Sequence, residues 1–210
     1  MMKIVSGIFF ALTLIASPWA LAGDATAGQA KTAACVACHA SDGNSPAPNF
    51  PKLAGQGEKY LYKQLQDIKS GDRAVPEMTG ILDPLTDQDL QDIAAFYADQ
   101  TMQLSGAKEE KLALGEEIYR AGNLETGVPA CIGCHSPSGN GNAPAGYPAL
   151  GGQYAQYIAK QLRAFRTAAH DPDDPAGRSN DGDTMVMRGA AARLTDQEID
   201  AVANFIAGLN

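Results

Sequence analysis

Cys35-Val36-Ala37-Cys38-His39 and Cys131-Ile132-Gly133-Cys134-His135 decide how this chain is read. Four cysteines in an exported chain ordinarily suggest two disulfides. Here each pair is separated by two residues and followed at once by histidine, which is the attachment signal for c-type haem. Two thiols add to the vinyl groups of one porphyrin, and the next residue places an imidazole on the iron. A redox dithiol or half of a zinc site competes for a single motif. Two copies, each complete in its own half, count against both.

Outward from the cysteines the two halves repeat each other. Pro51-Lys52-Leu53-Ala54-Gly55-Gln56 matches Pro148-Ala149-Leu150-Gly151-Gly152-Gln153, with Tyr60 falling on Tyr157 and Leu65 on Leu162. Met78-Thr79-Gly80 matches Met187-Arg188-Gly189, and Leu85-Thr86-Asp87-Gln88 matches Leu194-Thr195-Asp196-Gln197. The chain is therefore read as a duplication: a first domain over residues 23–100, a polar linker over 101–111 and a second domain over 112–210. The step from the proline to the methionine is 27 residues in the first half and 39 in the second. The extra residues centre on 170–183, rich in Asp, Pro and Gly, and predict an exposed loop.

Helical periodicity runs through both halves. Thr86 and Thr195 are N-cap candidates, with Glu198 completing a capping box that Asp89 imitates. Behind them Leu90, Ile93, Ala94 and Tyr97, and Ile199, Val202, Ala203 and Ile206, give one apolar face each. Tyr60, Leu61, Leu65 and Ile68, with Tyr157, Ile158, Leu162 and Phe165, do so in mid-domain. A helix is also predicted to lead into each cysteine motif, over 25–34 and 112–121. No strand-like alternation competes, so the fold class is all-α.

The sixth iron ligand follows by elimination. Of three histidines, His39 and His135 are taken as proximal ligands, leaving only His170. Methionine is the usual alternative. Met1 and Met2 belong to the leader and Met102 to the linker, so Met78 is the candidate in the first half. In the second, Met185 and Met187 compete. The spans from Met78 to Leu85 and from Met187 to Leu194 are both seven residues and favour Met187. Met185 then reads as flexible core filler or a contact at the haem edge, and His170 as a surface residue. A metal-bound imidazole usually donates its other N–H to a fixed acceptor. The carbonyls of Pro51 and Pro148 can serve as that acceptor; a plain turn before the next helix is the competing reading. Tyr60 and Tyr157 could reach haem propionates, but their helical spacing favours core packing.

The first residues read as a secretory signal peptide over 1–22: Lys3, an apolar run over 4–16, and Ala20-Leu21-Ala22 as a small-x-small cleavage site. An uncleaved anchor competes, although the run stops at Ser17-Pro18 and is short for a membrane span. Without Lys3 the chain has 15 basic and 24 acidic residues, a formal charge of −9. That charge argues against nucleic acid and anionic lipid and favours cationic partner surfaces.

Residues 35–39, 51–56, 77–80, 131–135, 148–153 and 187–196 together resemble the dihaem cytochromes c4, over nearly the whole chain after the leader. The resemblance implies tandem duplicated class I cytochrome c domains related by approximate twofold symmetry, each a few short helices wrapped around one covalent haem. It implies Cys35 and Cys38 on one haem c and Cys131 and Cys134 on the other. It also implies His39 and Met78 on one iron, and His135 and Met187 on the other. Haem edges would face each other, with propionates near the domain interface. Members are periplasmic respiratory carriers, so a quinol-cytochrome c reductase or other donor, a terminal oxidase as acceptor and peripheral membrane association are implied. The two halves here carry −5 and −4, unlike the unequal halves often found in that family.

Three functions compete. Saturated irons favour a carrier, not an enzyme, with two haems allowing storage or relay of two electrons. An electron-transfer subunit of a dehydrogenase or reductase complex would use the same haem chemistry. A dihaem peroxidase needs an iron that can open a coordination site; both halves keep a methionine and neither offers a distal histidine.

Overall fold

The computed structural model describes residues 23–210. The leader over 1–22 lies outside the described residues. These form helices α1 (Ala25–Lys31), α2 (Val36–His39), α3 (Glu58–Ser70), α4 (Asp87–Ala98), α5 (Leu112–Ala121), α6 (Ile132–His135), α7 (Ala155–His170), α8 (Val186–Ala191) and α9 (Asp196–Gly208), with a 3-10 turn at Pro76–Met78. Two isolated bridges, Asn123 with Val128 and Asn142 with Tyr147, are the only extended pairings among the described residues.

Local chemistry sets the helix ends. Asp24 caps α1 by accepting from the N–H groups of Thr26 and Ala27. Its helix stops at Lys31, earlier than the expected residue 34, because Thr32 turns back to hydrogen-bond the Gln29 carbonyl at 2.9 Å. Full capping boxes start α4, from Thr86 and Asp89, and α9, from Thr195 and Glu198.

In each half the first helix crosses the last, α1 on α4 and α5 on α9, while α3 and α7 pack on the same terminal helices. Leu61, Ile93, Ala94, Phe96 and Tyr97 form the first core. The second gathers Ile118, Tyr119, Phe165, Ile199, Val202 and Ile206, among others. Each buried aliphatic or aromatic side chain contributes about 1.5–3 kcal/mol.

The halves meet through the repeated glutamine. Gln153 accepts from the Lys52 N–H at 3.0 Å and donates to the Lys52 carbonyl at 2.9 Å. Gln56 does the same to Ala149, at 2.8 and 2.9 Å. Because residues 52 and 149 are themselves repeat equivalents, the two clasps are related by a pseudo-twofold axis. Residues 103–105 lie along this seam, where the Lys52 ammonium donates to Ser105 Oγ at 2.8 Å and to the Gln103 carbonyl.

Two sequence expectations change here. Residues 171–173 of the insertion are exposed, but Arg178 and Asn180 turn inward and reach α3 of the other half. Tyr60 and Tyr157 are not core packing: each is partly buried at the seam with its hydroxyl on an arginine. Their helical spacing placed them on an inward face, and that face meets the partner half.

Candidate haem-binding sites

Each cysteine motif is a single helical turn. His39 N–H bonds the Cys35 carbonyl at 2.9 Å and His135 N–H the Cys131 carbonyl at 3.0 Å, so residues i, i+3 and i+4 share a side. That brings Cys35, Cys38 and His39 together in one half, and Cys131, Cys134 and His135 in the other. The turn then breaks sharply. Ala40 (φ 61°, ψ 168°) and Ser136 (φ 67°, ψ 162°) occupy a region that ordinarily belongs to glycine. The reversal lets Leu53 N–H bond Gly43 O at 2.8 Å, and Leu150 N–H bond Gly139 O at 2.7 Å. The following proline carbonyls thereby come to face the imidazoles.

His39 Nδ1 lies 2.9 Å from the Pro51 carbonyl, and His135 Nδ1 lies 3.0 Å from that of Pro148. A carbonyl only accepts, so Nδ1 must carry the proton, and the lone pair is left on Nε2. Both rings are buried. Burial pushes their pKa below the ordinary histidine value, with the proline bond opposing, which keeps each imidazole neutral. A fixed neutral imidazole beside two thiols is the donor set that a covalent haem needs. Sequence reading missed one further pair. Phe50 and Tyr147, each just before its proline, stand edge-on to His39 and His135, with ring centroids 6.4 and 6.3 Å apart. An aromatic before proline in both repeats was the available signal.

Met78 ends the 3-10 turn and is partly buried. Met187, in α8, packs against the second core, as do Cys131, Ile132 and Leu162. Met185 is 51% exposed at the left-handed start of α8, so it fills no core. Met102 sits at the seam, where its sulfur would lie 3.5 Å from a Cβ at Gly152. His170 is exposed at the end of α7, its Nε2 2.9 Å from the Ala192 carbonyl.

Comparison with known proteins supports the same chemistry. The family model for cytochrome c matches residues 25–99 and 112–210. The cytochrome c4 of Pseudomonas aeruginosa is 57% identical over 189 residues, covering 90% of each chain. The thiosulfate dehydrogenase electron acceptor of Thiomonas intermedia is 34% identical, covering 93% of this chain and 87% of that one. Among solved structures, reduced recombinant cytochrome c4 from Pseudomonas stutzeri superposes with a TM-score of 0.85 at 55% identity, over 90% of this chain and all of that one.

Proposed function

We propose, from the premise that the chain belongs to the cytochrome c4 family, that it is a periplasmic electron carrier with both irons closed between histidine and methionine. The family is one of electron-transfer haem proteins, and the chain carries two covalent haem c groups. Those groups supply a one-electron couple each. In this reading Cys35 and Cys38 hold the first and Cys131 and Cys134 the second. His39 and Met78 bind one iron, His135 and Met187 the other.

The observation that carries the reading is the matched pair of imidazoles, each neutral, buried and aimed by a proline carbonyl. With Met78 and Met187 as the second ligands, neither iron would keep a position for substrate, which favours a carrier over an enzyme. Thioether favours ferrous iron and so raises the potential. The domains divide at the linker over 101–111, and the leader over 1–22 directs export. A respiratory donor such as a quinol-cytochrome c reductase and a terminal oxidase as acceptor complete the role.

A second reading rests on the thiosulfate dehydrogenase electron acceptors among the relatives: a dehydrogenase could supply the electrons in place of a quinol-linked donor. The test of the carrier reading is a pyridine haemochrome count with a ferric spectrum. Two haems per chain, both with the far-red sulfur-to-iron band, are expected; one haem, or bands absent, would refute it. Co-purification from native membranes then separates an oxidase partner from a dehydrogenase.

A further inference from the structure

The approach to α8 is exposed from Gly182 to Val186. Within it Met185 has φ 48° and ψ 36°, a left-handed conformation that is unfavourable for a residue with a side chain. Met185 is also the N-cap of α8, and its side chain caps nothing. The missing acceptor comes from Asp181. Its Oδ2 accepts the N–H of Arg188, the third residue of the helix, at 2.9 Å. Its Oδ1 accepts from Arg188 Nε at 2.6 Å, and the same guanidinium donates to the Gly182 carbonyl at 3.0 Å. The turn closes on itself as Met185 N–H bonds Gly182 O at 3.2 Å and Gly189 N–H bonds Met185 O at 2.7 Å.

One carboxylate thus fixes the peptide that joins Met187 to Arg188 and the Arg188 side chain as well. The Arg188 and Asp181 side chains are 14% and 6% exposed, which makes theirs the most sheltered ion pair among the described residues. Water and salt screen such a pair little, and removing one partner strands the other charge.

The first half is built differently. Counting six residues back from each methionine makes Asp72 the equivalent of Asp181, and Thr79 stands where Arg188 does. Thr79 carries no cation, and Asp72 accepts from Ser70 Oγ at 2.7 Å instead. Met78 relies on backbone. Pro76 opens a 3-10 turn in which Met78 N–H bonds the Val75 carbonyl at 2.9 Å and Thr79 N–H that of Pro76 at 3.3 Å. The neighbouring ion pair of Glu77 with Lys160, at 3.5 Å, has both side chains more than half exposed and adds little.

We propose that Asp181 is a positioning residue for Met187: through Arg188 it holds the second methionine against its iron, a support that the first methionine lacks. The inference rests on the ligation proposed above. A tethered ligand competes with free ones through its effective concentration, which falls when its segment is released. Asp181 acts through the start of α8, not on the iron itself.

The test is displacement of methionine by imidazole in the ferric, haem-loaded full chain, followed as loss of the far-red band. Met187→Ala keeps only the band served by Met78, and so identifies which step of the parental curve belongs to which haem. In Asp181→Ala the Met187 step should move to about tenfold lower imidazole or further, with the Met78 step in place. Asp181→Asn keeps an oxygen for the Arg188 N–H but loses the ion pair, so the same step should move less. Asp72→Ala, the matched change in the first half, should leave both steps at parental concentrations. A parental curve in Asp181→Ala, or both steps moving together there, would overturn the proposal. So would a Met78 step that moves as far in Asp72→Ala as the Met187 step does in Asp181→Ala. Should Asp181→Ala not take up two haems, Asp181→Asn decides by the same criterion. A parent with fewer than two haems or without the band would instead overturn the ligation reading, so the two failures are distinguishable.

Discussion

Ala40 and Ser136 hold the same unfavourable backbone conformation in both halves, each directly after the histidine of its motif. A non-glycine residue there costs about 1–3 kcal/mol, and the duplicated strain is tied to one task, turning the chain so that a proline carbonyl meets the imidazole. The methionines divide by the same kind of local evidence. Met187 packs on the core while Met185 is half exposed. Met187→Ala should therefore remove about half of the far-red absorption of the ferric protein and lower one potential, leaving the iron served by Met78 nearly unchanged. Met185→Ala should keep both bands and both potentials. Loss of the band in Met185→Ala alone would shift the ligand by two residues.

The helix crossings depend on glycine. A Cβ at Gly28 would lie 2.0 Å from the Asp92 carbonyl oxygen of α4, and one at Gly115 would lie 2.1 Å from the Ala201 carbonyl oxygen of α9. Asp92 and Ala201 occupy equivalent positions in the repeat, so both halves use the same close approach. The obstructing atom is backbone within a helix, and neither helix can yield without leaving its own core. Gly28→Ala and Gly115→Ala should each destabilise the holoprotein by about 1–3 kcal/mol or more, read as a lower denaturant midpoint with haem content unchanged. A midpoint equal to the parent would mean that the helices slide freely at the crossing.

Across the whole molecule, two glutamines clasp two backbones, and both side chains are buried. Replacing Gln56 and Gln153 together by alanine leaves the amide and carbonyl of Lys52 and Ala149 without partners. A loss of about 1–3 kcal/mol per site is expected. The two halves should then unfold in separate thermal transitions; one cooperative transition at the parental midpoint would show that the clasp contributes nothing. The acidic sequence, with a formal charge of −8, makes a second expectation. Electron exchange with cationic partners should slow as salt rises, because screening shortens the reach of steering. Rates indifferent to ionic strength would point to apolar docking around the haem edges instead.

The covalent chemistry was legible in the chain because it depends on neighbours a few residues apart. Cysteine spacing, the histidine that follows, the capping boxes and the apolar helix faces are all local patterns, and duplication printed each of them twice. Periodicity could say that Tyr60 and Tyr157 face inward, but not that they face each other's domain. Composition marked residues 170–183 as a polar loop, yet Arg178 and Asn180 from that loop complete a network on α3 more than 100 residues earlier. Such contacts arise only when two folded halves meet, and their partners are set by the pseudo-twofold axis. The aim of each imidazole was decided inside its own half: the chain offered the Pro51 and Pro148 carbonyls as acceptors, and folding chose that role over a plain turn. A proline twelve or thirteen residues beyond the histidine reaches its ring only after a strained turn brings the chain back.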